Sequence, residues 1–187
     1  MKSILCIVLA ASLLSACADA TFVTDAAPVE VSAETPDHFE LPGRFALVRT
    51  VYGRETGASQ SELDMWAEIA ERHRAMGHFS PLVSGNTFNR LAGRQSLIET
   101  AREQRFTYLL LMAISPGAGT SNISLYHVGS GGVMATARAS VPGQARRGFW
   151  GGRIRNPQRL ARVAEKIVLG SSATVENMLL GVAMRQK

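Results

Sequence analysis

Thr107-Tyr108-Leu109-Leu110-Leu111-Met112-Ala113-Ile114 is the stretch that decides the fold. A short, continuous apolar run of this kind reads as a central strand buried on both faces of a sheet. Such a strand needs layers packed on it, and both flanks supply them. Upstream, residues 94–105 have helical spacing, with Leu97, Ile98 and Ala101 inward. Residues 85–93 read as a turn, with room for one helical turn. His78-Phe79-Ser80-Pro81-Leu82-Val83-Ser84 is a short strand, and Pro81, which donates no ladder hydrogen bond, assigns it to an edge.

Residues 61–76 read as a helix with Leu63, Trp66, Ala67, Ile69, Ala70 and Met76 on one broad face. Ser61 is the expected N-cap, with Asp64 completing an approximate capping box, and Gly77 ends the helix. Residues 53–59 are a polar loop. The first strand covers residues 44–53, where Phe45-Ala46-Leu47-Val48-Arg49-Thr50-Val51-Tyr52 is rich in β-branched and aromatic residues.

Downstream of the central run, residues 122–128 and 133–141 alternate by twos. Gly129-Ser130-Gly131-Gly132 joins them as a hairpin. Val133, Ala135, Ala137 and Ala139 share one face, small enough for a helix to pack closely on it. After a Gly/Arg-rich loop over residues 142–155, Asn156 and Pro157 open the last helical region as N-cap and first helical residue. Leu160, Val163, Ala164, Ile167 and Val168 form its stripe, and Val175, Met178, Leu179 and Val182 continue it beyond Gly170. One helix with a weak point and two short helices fit this pattern equally. The expected architecture is α/β (an α+β mixed sheet) in the order β-α-β-α-β-β-β-α. About five strands carry helices packed on the sheet, with parallel pairing at the start and antiparallel pairing in the hairpin.

The N-terminus has a different character. Met1-Lys2-Ser3 precedes an apolar run too short to span a bilayer, which needs roughly 20 residues. Those are the proportions of a secretory signal. The run ends in Leu14-Ser15-Ala16-Cys17, which resembles the lipobox of bacterial lipoproteins. The resemblance implies removal of residues 1–16 and acylation of Cys17, with membrane attachment through the acyl chains (palmitate among them). The alternative is an ordinary signal peptide whose cleavage site contains a cysteine. Ala18 follows the cysteine where the enterobacterial inner-membrane retention signal has Asp, which implies the outer membrane. Several acyl chains make such attachment stable where one does not.

Residues 17–43 then read as the lipidated cysteine and a flexible acidic tether, with Pro28, Pro36 and Pro42 and no hydrophobic periodicity. The other reading of its middle is that Pro28-Val29-Glu30-Val31 adds an edge strand. Residues 44–187 are expected to form a single periplasmic α/β domain, long enough to be held by its own core. Of the two cysteines, Cys6 lies in the signal and Cys17 carries lipid, so no disulfide or cysteine-based metal site is expected.

The net charge of +5 hides an asymmetry. The leader carries Asp19, Asp25, Glu30, Glu34, Asp37 and Glu40 without a basic residue, whereas Arg and Lys dominate from Arg138 onward. In an exported protein such a basic region points to anionic headgroups, glycolipid, cell wall or an acidic protein, not to nucleic acid. The layout of elements resembles a fold shared by several envelope proteins. These are the N-terminal domain of the Tol–Pal periplasmic translocation protein, the curli secretion lipoprotein, and lipoprotein activators of penicillin-binding proteins. The similar features are Met76 to Val83 as helix end into strand, Ala101 to Leu111 as helix into central strand, and Asn122 to Ser140 as the hairpin. The resemblance covers about residues 44–170, carries over no catalytic residue, and implies action by binding or assembling with other envelope proteins.

No catalytic motif stands out. His38, His73, His78 and His127 lack metal-ligand spacing, there is no nucleophile elbow, and Gly129 to Gly132 lacks the lysine and helix of a phosphate loop. No cofactor or metal is expected. The candidate binding stretch is residues 144–155. There Arg146, Arg147, Arg153 and Arg155 surround Phe149 and Trp150, residue types enriched at binding hot spots. The competing reading is that the two aromatics fold back on the sheet while the arginines are solvated. The expected function is that of a non-enzymatic outer-membrane lipoprotein binding an envelope protein. The alternative is a module contacting anionic glycolipid or peptidoglycan through residues 144–155, and a cryptic hydrolase is the minor one.

Overall fold

The computed structural model describes residues 35–83, 93–141, 154 and 156–186. Its centre is the strand β4 (Tyr108–Ser115), and the other strands assemble outward from it. On one side lies β1 (Gly43–Val51), parallel to β4 from Phe45 opposite Tyr108 to Val51 opposite Ile114. On the other lies the antiparallel β5 (Thr120–His127), followed by β6 (Val133–Ser140). The outer edge of β1 is shared. Its first half pairs in parallel with β3 (Gly77–Pro81) and its last two residues pair antiparallel with β2 (Arg54–Glu55). The sheet is therefore mixed and six-stranded, in the order β2-β1-β4-β5-β6 with β3 beside β1. β2 falls in the stretch that the sequence reads as a polar loop, because two residues are too few for alternation to show.

Four α-helices are described: α1 (Gln60–Arg72), α2 (Arg94–Glu103), α3 (Pro157–Gly170) and α4 (Ser172–Ala183). Strand alternation sorts the core into two layers. Phe45, Leu47 and Val51 of β1 and Tyr108, Leu110, Met112 and Ile114 of β4 pack with α1, α3 and α4. Ala46, Val48 and Leu109 face the other way, onto Leu97, Ile98 and Ala101 of α2. Both faces of the centre are thus covered, as the unbroken apolar run required. The last helical region is two helices. At the break, Ser171 Oγ donates to the Ile167 carbonyl (2.6 Å) and lies 2.7 Å from Ser121 Oγ, both residues fully buried. A side-chain hydroxyl that competes for the backbone in this way loosens a helix at that turn.

Three local expectations are corrected. The N-cap of α1 is Ser59, whose Oγ accepts from the Glu62 amide (3.4 Å), and not Ser61. The C-terminal part of the expected helix is a 3₁₀ turn, Arg74–Met76. A bulge between β5 and β6 at Leu125/Tyr126 breaks the alternation of β6, so Val133 packs with the α2 layer while Met134, Ala135 and Ala137 join the other.

The packed body begins upstream of Arg44. Phe39, 1% exposed, meets Phe45 and Tyr108 edge-on at centroid distances of 5.4 and 5.0 Å. The Glu40 amide donates to the Tyr108 hydroxyl (2.5 Å). From there the chain runs back across the lower end of the sheet. Asp37 is held below its ordinary value by its hydrogen bond to His38, with Arg185 adding in the same direction. Thr35 Oγ1 lies 3.2 Å from Ser130 Oγ, in the β5–β6 turn.

Candidate functional site

The shared outer edge of β1 creates a site with depth. β3 leaves the edge after Leu47, whose carbonyl takes the Leu82 amide (3.0 Å). β2 reaches it only at Thr50, and the Thr56 amide closes the turn onto the Arg49 carbonyl (3.2 Å). Between the two departures lies a cleft of about 300 Å³. Leu47, Leu63, Trp66, Leu82, Met112 and Val168 form its apolar wall, and Arg49, Glu55, Thr56 and Glu62 supply its polar groups.

Alternation places Arg49 on the same face as Leu47 and Val51, where the other side chains are core. The guanidinium is consumed locally. Nε donates to Thr56 Oγ1 (2.9 Å), Nη1 to the Glu62 carboxylate, and Nη2 to the Gly57 carbonyl. Glu62, in the first turn of α1, is 1% exposed. Ser59, which caps that helix, donates its hydroxyl to Glu165 of α3 (2.9 Å). One cation and two carboxylates therefore tie the loop before α1 to β1 and to α3. Burial pushes the Glu62 carboxyl above its ordinary value, more than the charge of Arg49 pulls it down; Glu165 adds to the upward push. Burial likewise lowers Arg49, against the two carboxylates.

With its charges engaged in this way, the cleft offers an incoming group an apolar wall and a polar rim. Sequence reasoning missed Arg49 and Glu62. The available signals were a lone arginine inside an apolar strand and the Ser59-x-x-Glu62 spacing, one register away from the cap expected at Ser61.

Cys17 and the candidate binding residues Arg146, Arg147, Phe149, Trp150, Arg153 and Arg155 lie outside the described residues. The two ends of that loop are placed. The Val141 amide donates to the Gly119 carbonyl (2.9 Å), and the Ile154 amide donates to the Tyr52 hydroxyl (3.4 Å). Both contacts sit at the end of the sheet where β1 finishes, opposite the end where Thr35 meets the β5–β6 turn. The histidines stay apart. His127 Nδ1 takes the Ser130 amide (3.2 Å), His73 lies 3.5 Å from Glu176, and His38 pairs with Asp37 at the surface. Among the described residues no three His, Cys, Asp or Glu side chains gather in a metal-binding arrangement.

No protein family and no curated protein matches the sequence. Solved structures do resemble the fold. The PelC dodecamer from Paraburkholderia phytofirmans is 18% identical with a TM-score of 0.40, over 82% of this chain and 96% of that one. The LpoB C-terminal domain from Escherichia coli is 22% identical with a TM-score of 0.34, over 54% of this chain and 82% of that one. The same domain from Salmonella enterica is 13% identical with a TM-score of 0.35, over 52% and 80%.

Proposed function

We propose that this protein is a lipid-anchored outer-membrane protein facing the periplasm, whose α/β body binds or scaffolds a protein partner and performs no catalysis. The observation that carries the reading is the sequence Leu14-Ser15-Ala16-Cys17 after a short apolar run. An acylated cysteine there holds the body at a bilayer surface without a spanning segment. Among the described residues no helix is long and apolar enough to cross a membrane.

The test is metabolic labelling with an alkyne fatty acid. The wild-type chain is expected to take up label and to fractionate with outer membranes, and Cys17→Ser to lose both. An unlabelled wild-type chain outside the membrane fraction refutes the reading.

A second reading has its own support. The loop carrying Arg146, Arg147, Phe149, Trp150, Arg153 and Arg155 is rooted at the end of the sheet away from Thr35. The first described residue, Thr35, sits at the opposite end of the sheet from these roots, which supports a role for residues 144–155 in contacting cell wall or a partner. Cross-linking in intact cells separates the two. A discrete protein adduct supports partner binding, and wall or glycolipid material alone supports the second reading.

A further inference from the structure

The outer edge of β1 is interrupted at Arg49. The ladder to β3 ends with Leu47 opposite Pro81, and the ladder to β2 begins with Thr50 opposite Glu55. The carbonyls of this edge are in use: Leu47 takes the Leu82 amide and Arg49 takes the Thr56 amide. The Arg49 amide belongs to neither ladder. It points outward like its own carbonyl, because Arg44 and Tyr52 bond toward β4 and backbone direction alternates along a strand. Among the described residues it has no acceptor. Backbone amides inside strands are almost always paired, so this one marks a place for an acceptor from outside.

The amide opens into the cleft, which Val48 and Arg49 line. The wall there offers Trp66, 8% exposed, and Met112 beside Leu47, Leu63 and Leu82. An aromatic ring and a thioether are favourable neighbours for a further aromatic or long aliphatic group. Val83, 74% exposed, stands on the rim. The volume of about 300 Å³ is at the lower end of the roughly 300–1,000 Å³ of ligand sites.

Charge narrows the occupant. Glu55 and Glu62 line the cleft against one cation, and Arg49 already donates to Glu62, Thr56 and Gly57. A carboxylate or phosphate would meet two carboxylates and a guanidinium that is engaged, so the entering group is uncharged. Topology narrows it further. β3 and β2 occupy the edge on either side, so an added strand has no room, whereas a residue at the tip of a turn does.

We propose that the cleft takes one residue projecting from a turn of a protein partner, its large apolar side chain against Trp66 and Met112 and its own carbonyl on the Arg49 amide. This deepens the partner-binding reading and rests on it.

The test is an NMR titration of the nitrogen-15-labelled full chain with N-acetyl-phenylalaninamide, which carries that side chain and carbonyl without charge. The Arg49 amide resonance is expected to move downfield and saturate. N-acetyl-alaninamide, without the ring, should bind at least about tenfold more weakly. No saturable shift at Arg49 overturns the proposal. Toluene bound as tightly as N-acetyl-phenylalaninamide also overturns it, because the occupant is then a plain hydrocarbon. Leu63→Trp, at a half-buried position of the wall, fills the cleft and should abolish the shift; unchanged binding in that variant overturns the proposal.

Hydrogen exchange separates a new hydrogen bond from a nearby ring. In the free chain the Arg49 amide should exchange faster than those of Val48 and Thr50, which face β4, and it should slow about tenfold when the probe is near saturation. Exchange at Arg49 as slow as at its neighbours in the free chain removes the premise and overturns the proposal. If the cleft fails these tests while cross-linking in cells still captures a discrete protein, the proposal falls and the partner-binding reading stands.

Discussion

Replacing Arg49 with methionine tests whether the charged group in the first strand holds the loop before α1 in place. Met fills the volume of the arginine stem but leaves the Glu62 carboxylate, 1% exposed, without its cation. It also frees Thr56 Oγ1 and the Gly57 carbonyl from their donor. Stranding one member of a buried ion pair costs about 3–5 kcal/mol. With a urea dependence of about 2 kcal/mol per molar, the unfolding midpoint should fall by about 2 M. The double variant Arg49→Met with Glu62→Leu removes both charges and should recover to within about 1–2 kcal/mol of the parent.

The pH dependence has a definite sign. Because burial raises the Glu62 carboxyl above its ordinary 4.5, the folded state holds that proton more tightly than the unfolded chain. The contribution of this group is full below about 4.5 and is lost as pH rises through its folded value. Arg49 limits that loss, so Arg49→Met raises the folded value further. Its deficit against the parent should be largest near neutrality and shrink toward pH 4.5. A deficit below about 1 kcal/mol, the same at both pH values and additive with Glu62→Leu, would refute the reasoning.

Other substitutions probe the frame around this group. Gly77→Ala should lower the melting temperature sharply, since Gly77 has φ of +126° and a Cβ there would run into the Gly43 carbonyl across the β1–β3 pair. Phe39→Ala should cost about 3–5 kcal/mol in a denaturant titration, as expected of a core aromatic and not of a tether residue. Ser171→Ala should cost about 1–3 kcal/mol by leaving the Ser121 hydroxyl buried without that partner, whereas Ser121→Ala together with Ser171→Ala should come close to the parent.

The elements that bury most apolar surface were the readable ones. The run from Tyr108 to Ile114 is central because nothing polar interrupts it, and Pro81 does lie on an edge strand. The hairpin around Gly129 to Gly132 was legible from alternation and a glycine turn, except where a bulge turned Val133 to the other face. What alternation and helical periodicity do not encode stayed hidden. β2 is two residues held by Arg49 and its loop, and Phe39 is a single aromatic in a Pro-containing stretch without period. The cleft could not be read at all, because it exists only where two short strands leave a common neighbour at different points.

The path of the chain into the body has a mechanical consequence. Among the described residues, a pull on the amino-terminal side is resisted at Thr35, then at Phe39 and the Tyr108 hydroxyl, and then arrives at β1. β1 has hydrogen-bonded neighbours on both sides, so drawing it out requires two ladders to slide at once. Tension from that direction therefore meets a strand that has to shear from β3 and β4 together before the body gives way.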